Sequence, residues 1–164
     1  MPKPKTAVFS NKNLMIAIYL YLAFGIISAE PNQAEPESLL KDAISLYSQG
    51  NYKRSSILLE QAIKIEPENA IFHHWLGKAY GREAQQANWF RAAGLARKTG
   101  KQFETAVNLD PHQTQAWLDL IEFYSKAPAI VGGGRKKADA ALAKLKLIDP
   151  LTADRAAEII AQQR

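Results

Sequence analysis

Three histidines, no cysteine and one Gly-Gly-Gly-Arg-Lys-Lys run are the places where this sequence offers chemistry. Without cysteine there is no disulfide, no thiolate zinc site, no cysteine nucleophile and no lipid attached through sulfur. His73 and His74 are adjacent. On a helix, adjacent side chains point about 100° apart, so the two cannot share one metal ion. His112 stands alone in a turn, and no carboxylate sits at ligand spacing from any of the three, which argues against a metal or a cofactor. Ser, His and Asp all occur, but not in the spacing of a triad or a nucleophile elbow, so the reading is of a protein that is not an enzyme.

Gly132-Gly133-Gly134-Arg135-Lys136-Lys137 has two readings. Glycines let backbone amides approach an anion, and a following helix would add its partly positive N-terminus. The plainer reading, and the favoured one, is a turn that needs positive φ angles; the GxxxxGK[ST] nucleotide spacing is absent. Trp89, Phe90, Arg91, Arg97, Lys98 and Lys101 form a basic, aromatic-bearing stretch. It could meet lipid headgroups or nucleic acid. The preferred reading has Trp89 and Phe90 capping a long helix whose basic residues form its wet face.

The elements that must carry these residues are paired helices. Apolar residues at spacings of three and four run through Leu39, Leu40, Ala43, Ile44, Leu46 and Tyr47, then again, after Gly50-Asn51, through Ile57, Leu58, Ala62, Ile63 and Ile65 to Glu66-Pro67. A third stripe begins at Ala70 and carries Phe72, Trp75, Leu76, Ala79 and Tyr80 to about Gln86. A fourth segment, Asn88 to Leu109, holds only two isolated glycines, with a bend or fray expected near Gly94. A fifth helix is expected over Gln113–Lys126 and a sixth over Arg135–Leu147. The last fourteen residues read as a capping helix with Thr152 as its N-cap and Ile159 and Ile160 covering the end of the stack. No single hairpin could bury its own stripe, so the hairpins must stack.

Hairpins closed by Asp-Pro or Glu-Pro, with Leu76-Gly77, Tyr80, Phe103, Ala106 and Pro111 in the central one, resemble the tetratricopeptide repeat (TPR). Gly50, Tyr52, Ala62 and Pro67 carry the resemblance in the first repeat, and Trp117, Leu120, Tyr124, Ala138 and Pro150 in the third. The resemblance implies an all-α, right-handed solenoid of about three hairpins, over 36–69, 70–111 and 114–150, plus a capping helix over 151–164. Against the family's usual ~34 residues, the central repeat spans 44 from Pro67 to Pro111 and the third spans 39 from Pro111 to Pro150. That lengthening is similar to a group of exported bacterial TPR proteins. In the family the first helix of each hairpin lines a concave groove. This implies groove residues Leu40, Ile44 and Tyr47, then His74, Lys78 and Arg82, then Leu118, Glu122 and Lys126. Leu40 and Ile44 stand where the family's clamp for acidic peptide tails has Lys and Asn, which speaks against that clamp. The implied function is a protein-interaction module that binds a peptide or protein in the groove. The alternative is a structural subunit that assembles with copies of itself or with a cell-envelope complex.

The chain carries 21 basic and 16 acidic residues, a net charge of +5, but Lys3, Lys5 and Lys12 precede residue 30, where there is no acid. The remaining 18 basic and 16 acidic residues nearly balance, which removes the basic pI as an argument for nucleic acid. Residues 1–29 have the order of a secretory signal: a basic start, sixteen uncharged residues from Leu14 to Ala29, and Ser28-Ala29 as the cleavage point. The sequence thus reads as a signal over 1–29, a linker over 30–36 and a helical domain over 37–164. The domain is expected in the periplasm or secreted, where it meets no nucleic acid. An uncleaved run over 14–29 would instead anchor it to a membrane, its one expected membrane contact.

Overall fold

A computed structural model describes residues 35–162, all of them in helices and short connections. The expected signal or anchor and most of the linker lie outside the described residues. In chain order the helices are α1 (Pro36–Ser48), α2 (Tyr52–Ile65), α3 (Ala70–Gln86), α4 (Trp89–Leu109), α5 (Thr114–Lys126), α6 (Arg135–Ile148) and α7 (Pro150–Ala161), with a single 3-10 turn over Ala129–Val131. Each helix packs chiefly on its sequence neighbours, so the domain is an all-α solenoid. The first pair measures 13 and 14 residues and the second 17 and 21.

Local chemistry sets the boundaries. Pro36 occupies the first turn of α1, where its missing N–H costs nothing. Asn69 and Asn88 cap α3 and α4 by accepting from the amides of Ile71 and Arg91. α4 runs unbroken through Gly94, so the helix does not fray there. The last helix also departs from expectation. Its N-cap is Asp149, not Thr152: the carboxylate accepts from the Thr152 amide at 3.1 Å and from its hydroxyl at 2.6 Å. Pro150 therefore both stops α6 and opens α7, leaving one residue between them.

The interior holds neighbouring apolar clusters. Leu39, Ala43, Leu59, Ala62, Phe72, Leu76 and Tyr80 fill the space between α1, α2 and α3. A larger cluster runs from Phe103 through Trp117, Ile121 and Leu145 to Ile160, with Ile159 packed against it. These clusters lie between residues 39 and 160, so the helical domain contains its own core. Polar pairs repeat across it with an offset of 44 residues. Tyr80 donates to Glu60 as Tyr124 donates to Glu104. Likewise His73 Nε2 donates to the Pro67 carbonyl, as Trp117 Nε1 does to that of Pro111. His73 thus stands in for an aromatic anchor of the repeat.

Candidate functional site

An open cleft of about 380 Å³ lies between α3 and α5, floored by α4. Its base is apolar: Phe103, Phe123 and Val131 meet there, with Gly77, Gly81 and Ala96 keeping the walls low. Gly77 has to be glycine because a Cβ there would sit 2.6 Å from the Phe103 ring. Gly100 holds the same relation to Phe123, at 2.5 Å. These close approaches press α3 on α4 and α4 on α5, and so place both rings at the floor.

Charge is arranged on two walls. On α3, Lys78 Nζ lies 4.3 Å from the centroid of Trp75, itself edge-on to Tyr47. Arg82 donates from Nε and Nη2 to the Tyr52 hydroxyl at 3.3 and 3.2 Å, and from Nη1 to Gln85 at 2.9 Å. The Tyr52 bond holds the guanidinium pKa above its usual value. Burial pushes the Tyr47 phenol up, and the nearby Arg82 charge partly opposes this. On α5 both carboxylates are engaged. Asp119 accepts from His74 Nε2 at 2.7 Å and from Gln115 at 3.2 Å, and Glu122 accepts from Lys126. The α3 wall therefore presents cations held by aromatic rings, a hydroxyl and an amide, neither of them paired with a carboxylate among the described residues.

Of the groove residues expected from the sequence, Tyr47, Lys78, Arg82, Glu122 and Lys126 line this cleft together. The other four do not. Leu118 is 5% exposed and belongs to the large core cluster. His74 is 4% exposed and spent on Asp119, a bond that ties α3 to α5. Leu40 packs against the N-terminal clusters, and Ile44 is half-buried on α1 outside the cleft. The offset arises because α3 and α4 are long, which opens the cleft over the C-terminal half of α3 rather than along all three first helices.

The sequence reading also missed the apolar floor. Phe103 and Phe123 belong to the second and first helices of successive hairpins, and Val131 to an expected loop. The 3-10 turn brings Val131 to the cleft, and the glycine run makes this possible. Gly132 and Gly134 have φ of 102° and 135°, and a Cβ on Gly133 would lie 1.9 Å from the Ala127 carbonyl oxygen. The amides of Gly132, Gly133 and Gly134 donate to Ala129, Pro128 and Tyr124, so none is left to cradle an anion. The run is a turn. His73 and His74 face different partners, Pro67 and Gln102 for one and Asp119 for the other.

Residues 45–83 match a family model described as TPR repeat. Tetratricopeptide repeat protein 37 of Xenopus laevis is 33% identical over 95 residues, covering 56% of this chain and 5% of that protein. The chain thus spans about one-twentieth of that relative. The Arabidopsis OM64 TPR domain superposes with a TM-score of 0.61 at 16% identity, over 81% of this chain and 99% of that one. A crystal structure of MamA superposes at 0.57 with 15% identity, over 96% of this chain and 94% of that one. The fold is a TPR solenoid, an architecture consistent with a module for protein–protein interaction.

Proposed function

We propose that the protein is a non-enzymatic, exported interaction module that takes a segment of a peptide or protein partner in the cleft between α3 and α5. The observation that carries this reading is the combination, in one open cleft, of an apolar floor at Phe103, Phe123 and Val131 with cations at Lys78 and Arg82. An apolar side chain would fill the floor while an acidic group meets the α3 wall. Asp119 is already paired with His74 across the cleft and Glu122 with Lys126 one turn along α5, so neither carboxylate is offered to a bound chain. Export follows from the basic start and uncharged run over 1–29, with cleavage after Ala29 releasing the domain or retention of 14–29 tethering it.

The test is selection of peptides from a display library on residues 35–164, followed by affinity measurements on variants. Gly81→Phe places a ring into the cleft and should abolish binding. Lys78→Ala with Arg82→Ala should weaken it roughly tenfold, a loss on the scale of a contact hot spot. Peptides that bind the Gly81→Phe protein unchanged would remove the cleft as the site. A second reading, a subunit that assembles with its own kind, draws on the exposed Ile130, Leu147 and Leu151, which are more than 80% accessible. Light scattering on the same domain separates the two: a stable oligomer supports assembly, a monomer supports the cleft.

A further inference from the structure

Trp89 and Phe90 are 72% and 70% exposed, and their rings stack on each other at 3.5 Å between centroids. Neither lines the cleft, and neither caps the helix by packing on it, as the sequence reading held. Asn88 fixes the first turn of α4 through the Arg91 amide, so the two rings stand on a capped helix end rather than on a free loop. The segment behind them is one-signed. Between Glu83 and Glu104 there is no acid, while Arg91, Arg97, Lys98 and Lys101 are all basic. Phe90, Arg97 and Lys101 recur at intervals of seven and four, which puts them on one stripe of the helix. Arg91 is spent on Glu83 at 3.1 Å, and Lys98 lies over the Tyr80 ring at 4.9 Å. Arg97 and Lys101 are exposed and form no ion pair among the described residues.

From this geometry we infer that the α4 edge is a docking surface for an anionic lipid bilayer. Trp89 and Phe90 enter the headgroup boundary, and Arg97 and Lys101 meet lipid phosphates. A stripe of cations alone would be a solvated face. A pair of aromatic rings alone would fit any apolar partner. Together, on one helix without an intervening acid, they match an interface that is apolar below and negative above. The position of the domain in the chain agrees. Six residues separate Ala29 from Pro36, a reach of about 20 Å when extended, so a retained uncharged run would tether the start of α1 within that reach of a membrane. The cleft is separate from this surface, and either assignment stands without the other.

The experiment is co-sedimentation of residues 35–164 with vesicles of phosphatidylcholine alone and of phosphatidylcholine mixed with phosphatidylglycerol. Binding is expected to the mixed vesicles, weaker binding to the neutral ones, and a decline as salt is raised. Trp89→Ser with Phe90→Ser should lose the vesicles while keeping its helical circular dichroism, since neither ring is part of the core. Arg97→Gln and Lys101→Gln should each lower partitioning about fivefold, the equivalent of one surface cation. Gly81→Phe should bind vesicles normally. Equal binding to both vesicle types, or by the double serine variant, would overturn the inference. So would light scattering that shows the two rings holding copies of the chain together without lipid.

Discussion

Gly77 and Gly81 lie one turn apart on α3, both beside the cleft, and the same substitution is expected to have opposite effects at the two. At Gly81 an added Cβ meets the Thr99 methyl at 3.5 Å, an ordinary contact. Gly81→Ala therefore gains helix propensity without a clash and should stabilise the domain by up to about 1 kcal/mol. At Gly77 the same gain is opposed, because the new Cβ lies 2.6 Å from two atoms of the Phe103 ring. The ring is 5% exposed and tilted against His74 at 5.9 Å. To restore ordinary contact it must retreat toward the cleft and disturb the His74–Asp119 bond that joins α3 to α5. Overpacking of this kind costs about 1–3 kcal/mol, so after the propensity gain of about 1 kcal/mol Gly77→Ala should be destabilised by up to about 2 kcal/mol. The two variants should then differ by about 1–3 kcal/mol, or roughly 0.5–1.5 M in urea midpoint for an m-value near 2 kcal/mol/M. Urea titrations followed by circular dichroism measure this directly. A Gly77→Ala protein as stable as Gly81→Ala would refute the packing argument, and with it the reason given for the position of Phe103 at the cleft floor.

Alkali and acid should expose two further devices. Burial, with help from Glu60 and Glu104, pushes the phenols of Tyr80 and Tyr124 well above their usual value. A group raised on folding contributes stability that is full below its unfolded pKa and lost as pH rises toward the folded one. Stability should therefore fall above about pH 10, and Tyr80→Phe with Tyr124→Phe should flatten that fall in pH-dependent melts. Asp149 runs the other way: its bonds to the Thr152 hydroxyl and amide hold its carboxyl below the usual range. Its contribution is present above the unfolded pKa and is lost as pH falls through the folded value. α7 should fray first in acid, and Asp149→Ala should fray it already at neutral pH, read by hydrogen exchange of the Ala153 amide.

The helices, their order and most of their ends were legible in the sequence because they depend on local chemistry. Apolar spacing of three and four, Pro after each second helix, and Gly50 between α1 and α2 act over one or two turns. They predicted α1, α2 and α3 to within a residue. The exceptions were also local but balanced. Asp149 and Thr152 are both good caps, and the fixed φ of Pro150 decided for Asp149 by starting α7 immediately after it. Gly94 does not interrupt α4, because a single glycine costs only about 1 kcal/mol in a helix that the flanking residues otherwise favour.

The site needed the fold. The sequence marked Tyr47, Lys78, Arg82, Glu122 and Lys126 through its resemblance to the tetratricopeptide repeat, which implies that first helices line a groove. It could not mark Phe103, Phe123 and Val131, which meet only after three elements pack. Nor could it exclude Leu118 or His74. Both were assigned to the groove, and only tertiary packing turns them inward, Leu118 into the core shared with α4, α6 and α7 and His74 onto Asp119. The exposed pair Trp89 and Phe90 shows the converse, for composition alone assigned such large rings to packing. Periodicity determines which face of a helix seeks cover; only the tertiary arrangement decides whether a partner is there, because coverage depends on where the other helices end.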